Sequence, residues 1–108
     1  MKFKTTEKAI RNSGEMVISV GYCELWHLLR FHSPVAYTAG VYGWNFDVYE
    51  VYGVIICTGY RRMVGKRARD VTEYEQRAHS VYANSTLSSV QKEQGIEGIL
   101  KEFIKAQY

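Results

Sequence analysis

The stretch Phe46-Asp-Val-Tyr-Glu-Val-Tyr-Gly-Val-Ile-Ile-Cys-Thr-Gly59 carries two different strand patterns on either side of a turn. Phe46 to Glu50 alternates, the pattern of a strand with one face on a core and one in water. Val54-Ile-Ile-Cys57 is apolar on both faces and predicts a central strand. Tyr52-Gly53 between them is a two-residue turn, because glycine readily takes the positive φ that tight hairpins require. Upstream, Ala36 to Tyr42 reads as a third strand, set off by Gly43-Trp44-Asn45. Separations this short predict an antiparallel meander.

Outward toward the N-terminus, Lys2 to Lys4 reads as a short strand and Glu7 to Asn12 as a small helix closed by Ser13-Gly14. Glu15 to Tyr22 is β-branched and apolar, a further strand. Cys23 to Phe31 places Leu25, Leu28 and Leu29 on one helical face, with Pro34 marking the exit. Toward the C-terminus, Asp70-Val-Thr-Glu73 has the acceptor and the acid of a capping box, so a helix is expected from Val71 to near Asn84. Its apolar positions Val71, Tyr74, Ala78, Val81 and Tyr82 share one face.

A last helix follows Ser85-Thr86. Ile96, Ile99, Leu100, Phe103 and Ile104 keep phase, Leu87 and Val90 fall on another side, and Gly95 at the change of phase predicts a bend or break. Glu97 and Lys101 are spaced for an ion pair, and Lys101 and Lys105 suit a helix C-terminus. The expected fold is a single α+β domain over residues 1–108. It consists of a small antiparallel sheet, the meander plus one or two N-terminal strands, packed with one short helix and two C-terminal helices.

A chain of 108 residues with 46% hydrophobic composition has enough apolar material for one core. Cys23 and Cys57 stand far apart with no CxxC, and Met1-Lys-Phe-Lys opens no apolar run, so the residues favour a reducing, cytoplasmic setting without secretion. The longest strongly apolar run, Val54 to Cys57, is far short of the roughly 20 residues a bilayer span needs. The unpaired edges of a small sheet leave monomer and homodimer both open.

The net charge of +3 is unevenly placed. In Thr58-Gly-Tyr-Arg-Arg-Met-Val-Gly-Lys-Arg-Ala-Arg-Asp70, five bases fall within nine residues, and without them nine Lys and Arg face 11 Asp and Glu. Arg61, Arg62, Lys66, Arg67 and Arg69 are therefore the candidate polyanion contacts. Four of the five are Arg, whose fork matches phosphate and carboxylate bidentately. Tyr60 is placed to stack beside them. In the aromatic run from Tyr42 to Tyr52, Trp44, Phe46 and Val48 share a core face, which leaves Tyr49, with Tyr42 or Tyr52, as a contact candidate.

Catalytic signals are thin. Gly59 and Gly65 enclose five residues where a phosphate-binding loop needs four, and Arg67 stands where that loop needs Ser or Thr. Cys23 and His27 are i, i+4, and His32, Cys57 and His79 are further metal-ligand types, but no second close pair supports a zinc site. Asp47 and Glu50 point to opposite faces of one strand, the wrong geometry for a shared acid and base. No catalytic residue, metal or cofactor is assigned, and a small metal-dependent enzyme is the most distant alternative.

The opening MKFKTTEKAI, the segment GYCELWHLLRFHSPVAYTAGVYGWNFDVYEVYGVIICTGYR and the closing LKEFIK resemble a family of small proteins of Firmicute phages, conjugative elements and genomes. GYC, PVAYT, YGWN and TGYR carry the likeness most specifically. The family brings no catalytic motif. By analogy with small mobile-element proteins, the resemblance implies an anti-CRISPR-type inhibitor of a host type II effector nuclease or of its guide-RNA assembly. Its partners would be that nuclease or its guide RNA, in the cytoplasm of a bacterial host. A DNA mimic would be strongly acidic, whereas this chain is mildly basic, so competition for guide RNA or for an acidic protein face fits better. The other class of function is a nucleic-acid-binding accessory protein using residues 61–69.

Overall fold

A computed structural model describes residues 3–21, 24–39, 45–59 and 65–108. The meander forms as its sequence dictates. Strands β3 (Ala36–Ala39), β4 (Asn45–Val51) and β5 (Val54–Gly59) are antiparallel neighbours. Tyr52 and Gly53 turn between β4 and β5 with φ of 49° and 78°, the left-handed pair that matches strand twist in a tight hairpin.

The rest of the sheet is not antiparallel. Strand β1 (Phe3–Thr6) lies parallel to β3 at one edge, and β2 (Met16–Gly21) lies parallel to β5 on the other side. A two-residue strand β6 (Lys66–Arg67) then pairs parallel with β2. The order β1-β3-β4-β5-β2-β6 makes a six-stranded mixed sheet. The chain from β1 to β2 must cross β3, β4 and β5, and helix α1 (Glu7–Arg11) lies in that crossing. Thr6 caps it by accepting the Ala9 N–H at 3.2 Å.

Both faces of β5 are buried along its whole length, as expected of a central strand. On one face Val54 and Ile56 join Ile18, Val20 and Val51 under helices α2 (Val71–Ala83) and α3 (Ser89–Ala106). On the other, Ile55 and Cys57 meet Ile10 of α1 with Ala36, Phe46 and Val48. Trp44, the third residue predicted for that face, lies outside the described residues.

Residues 24–31 depart from the expected helix. They form a run of turns in which the Leu29 N–H reaches the Leu25 carbonyl at 2.9 Å, while the Arg30 and His32 N–H groups close tighter turns onto His27 and Leu29. The cause is Glu75 of α2, whose carboxylate accepts the His27 N–H at 2.6 Å and the Leu28 N–H at 3.2 Å. The leucine pattern still finds its face, since Leu25, Leu28 and Leu29 are all buried in the larger core.

Helix α2 starts where predicted but without the predicted cap. Asp70 takes the left-handed conformation, with φ of 57°, and its side chain makes no capping bond. The capping box occurs in α3, between Ser88 and Gln91. Gly95 does not break α3. A Cβ there would sit 3.0 Å from Val81 Cγ1, so the glycine admits α2 instead of ending the helix. Glu97 forms no pair with Lys101 but meets His32 and Tyr52.

Candidate functional site

The basic segment is anchored at both ends. It leaves the buried Gly59 of β5 and returns at Gly65, whose φ is +77° and where a Cβ would lie 2.6 Å from the Val17 carbonyl oxygen. Only glycine satisfies both conditions without strain. From there Lys66 and Arg67 pair with Ile18 and Ser19, and the Ala68 N–H donates to the Ser19 carbonyl at 2.8 Å. The second half of the segment is thus an edge strand and not a loose loop. Tyr60, Arg61 and Arg62 lie outside the described residues.

The described bases divide by what they touch. Lys66 Nζ donates to the Gln107 carbonyl, and Arg69 Nη2 donates to the Ala106 carbonyl at 3.1 Å. These are the unpaired carbonyls at the end of α3, where the helix dipole favours cations. Gln107, fully buried, completes the joint: its Oε1 accepts the Arg69 N–H at 2.7 Å and its Nε2 donates to the Arg69 and Phe103 carbonyls, each at 3.0 Å. Sequence reading missed Gln107, because a glutamine two residues after Lys105 at a helix end has the look of a solvated residue.

Arg67 differs. It is exposed, and among the described residues its side chain has no hydrogen-bond or ion-pair partner. It borders a shallow groove with Ala68, Val71, Thr72 and Gln76, in which Glu24 and Glu75 supply carboxylates.

Tyr49 is not beside these bases. It shares a sheet row with Ile56, Ile18 and Lys66, three strand spacings or about 14 Å from the last of them. It is half-buried against the larger core and lines a cleft of about 480 Å³ formed with Leu25, Trp26, Leu29, Arg30, Asp47 and Thr58. Asp47 and Thr58 are directly opposed across β4 and β5, and the turn segment 24–30 forms the facing wall. Trp26 is 61% exposed. Arg30 is held at the rim, its guanidinium 3.8 Å over the Tyr82 ring and Nη2 donating to the Tyr82 hydroxyl at 2.6 Å.

The remaining chemical candidates are engaged structurally. His27 Nδ1 lies 2.6 Å from Glu75 Oε1, and its ring stacks on His79 with centroids 4.7 Å apart. His32 Nε2 lies 2.7 Å from Glu97, which also accepts the Tyr52 hydroxyl. Partial burial, then the bond and charge of Glu97, push the Tyr52 phenol up to about 12. Cys57 is buried, which pushes its thiol up to about 12. Asp47 and Glu50 stand on opposite faces, paired with Thr58 and Ile55. Among the described residues no group of three metal-ligand types converges, and Cys23 is outside them. No helix among them is long and apolar enough to cross a membrane.

Compared with known proteins, the chain matches no family model, no curated protein and no solved structure.

Proposed function

We propose that the chain works by binding a polyanion through residues 61–69, and that in the mobile-element setting implied by its resemblance the polyanion is the guide RNA of a type II effector nuclease. The protein would then be an anti-CRISPR-type inhibitor of that nuclease or of its guide-RNA assembly. The supporting observation is Arg67, an exposed guanidinium without a protein partner among the described residues, on a strand whose backbone is fixed to β2. A positioned Arg loses less freedom on meeting a phosphate than one on a mobile loop.

A second reading, direct binding of single-stranded nucleic acid as an accessory protein, is favoured by the cleft beside Trp26. Exposed aromatics near bases hold unpaired strands by stacking. The two readings separate in one set of measurements: affinity for RNA and duplex DNA across a salt series, beside affinity for the nuclease with and without guide. Tight capture of the nuclease that depends on the guide, with loss of target cleavage, supports the inhibitor. A steep salt slope on free RNA without nuclease capture supports the accessory protein. If neither free RNA nor the guided nuclease is bound more weakly after Arg61, Arg62 and Arg67 are changed to Ser, the polyanion reading is wrong.

A further inference from the structure

The cleft at the Trp26 end of the sheet has an uneven chemistry that the polyanion reading alone does not use. Its floor holds Asp47 and Thr58 side by side, its walls are Leu25, Leu29 and the Trp26 indole, and Arg30 stands at the rim. A carboxylate, an exposed indole and a guanidinium in one cleft suit a ligand that combines hydrogen-bond donors, a flat apolar body and an anionic group. A nucleotide has those parts. The volume of about 480 Å³ also lies within the roughly 300–1,000 Å³ of small-molecule sites.

We propose that this cleft takes one unstacked base of a single-stranded nucleic acid. The base stacks on Trp26, its donor edge meets Asp47 and Thr58, and its phosphate reaches Arg30. Single-stranded recognition commonly works this way, with bases splayed onto aromatic rings and read along their hydrogen-bonding edges. Asp47 and Tyr49 each make a further interaction within the protein. A carboxylate offers about four acceptor positions, so an internal contact can hold Asp47 in place while a base donates to it.

Chemistry ranks the bases. Guanine presents two adjacent donors, N1–H and the N2 amino group, to a carboxylate. Uracil presents one donor flanked by two carbonyl oxygens that the carboxylate repels. In the sequence, Thr58 of the cleft floor is followed one residue later by the basic segment that begins at Tyr60.

The proposal takes its ligand class from the polyanion reading, yet it is tested apart from it. Guanosine and uridine 5′-monophosphate are titrated into the intact protein and followed by the Trp26 indole N–H and the Thr58 amide in NMR spectra. Guanosine monophosphate is expected to shift both signals and uridine monophosphate to bind more weakly. Asp47→Asn should weaken guanosine monophosphate by at least about tenfold, as the loss of a charged acceptor requires. Deoxyguanosine monophosphate shows whether RNA or DNA supplies the base.

Arg61, Arg62 and Arg67 changed together to Ser should leave the mononucleotide shifts intact. If this triple change weakens oligonucleotide binding while guanosine monophosphate shifts neither Trp26 nor Thr58, the base pocket is overturned and the polyanion reading survives. If the mononucleotide binds and a single-stranded oligonucleotide binds undiminished by the triple change, the polyanion reading falls alone; if no oligonucleotide binds, both fall. Equal binding of the two mononucleotides, or unchanged binding by Asp47→Asn in a protein of unchanged thermal stability, also overturns the pocket.

Discussion

Glu75 carries more of the fold than a half-buried glutamate in the middle of a helix suggests. One carboxylate accepts the His27 and Leu28 backbone N–H groups and lies against His27 Nδ1, so it fixes the turn segment that carries Leu25, Leu28 and Leu29 into the core. Glu75→Ala leaves these part-buried donors without their acceptor, and a loss of about 1–3 kcal/mol is expected. It should appear as a lower urea midpoint with little change in slope, and Glu75→Gln, which keeps one acceptor oxygen, should recover part of it. Cys57 gives a test by pH. Burial raises its thiol from 9.0 to about 12, so the folded chain keeps a proton that the unfolded chain releases. The unfolded state then binds fewer protons above about pH 9, and stability falls as pH rises, by up to about 1.4 kcal/mol per unit. The loss continues until the folded thiol itself ionises near 12. Stability measured from pH 8 to pH 10.5, roughly the window this linkage opens, should decline less steeply in Cys57→Ala than in the unaltered protein. Parallel curves would show that Cys57 is not the source.

Among the elements, those set by local chemistry were legible and those set by distant partners were not. Alternation in Phe46 to Glu50, continuous apolarity in Val54 to Cys57 and the Tyr52-Gly53 turn all act over a few residues, and they give β4, β5 and their hairpin. Parallel pairing of β1, β2 and β6 depends on contacts far along the chain, which no local pattern encodes. The turn segment was misread for a related reason: its leucine spacing is helical, but Glu75 is 48 residues from His27. The candidate site was half legible, since charge density marks the basic segment while the use of Lys66 and Arg69 at the end of α3 needs the fold. Gly95 and Gly98 show the same division within α3, because their spacing is alike and their surroundings are not. At Gly98 a Cβ meets nothing within 4 Å, so Gly98→Ala should stabilise the protein by about 1 kcal/mol through helix propensity. At Gly95 the same Cβ lies 3.0 Å from Val81 Cγ1, and part or all of that gain should be lost. Thermal melts of the two variants decide it, and equal gains would mean that α2 does not press on α3 at this point.

For the whole molecule, the question is how one local charge excess serves both stability and binding. If all five bases were solvated alike, each would contribute similarly to polyanion affinity and little to stability. Among the described residues the fold separates three of them instead: Lys66 and Arg69 complete the end of α3, while Arg67 is exposed on the edge strand. Lys66→Ser and Arg69→Ser should therefore lower the melting temperature, because each removes a charged donor from helix carbonyls; the expected cost is about 0.3–1 kcal/mol apiece. Arg67→Ser should leave the melt unchanged. On single-stranded RNA the order reverses. Neutralising one phosphate changes the slope of log affinity against log salt by about 0.7, so Arg67→Ser should flatten it by about that amount. Lys66→Ser and Arg69→Ser should flatten it less, because their donors are already spent within the protein. Melting curves and salt titrations on the same three variants make the comparison internal. Equal slopes and equal melts across the three would mean that the edge strand does not sort its charges, and that the segment acts only as a diffuse basic patch.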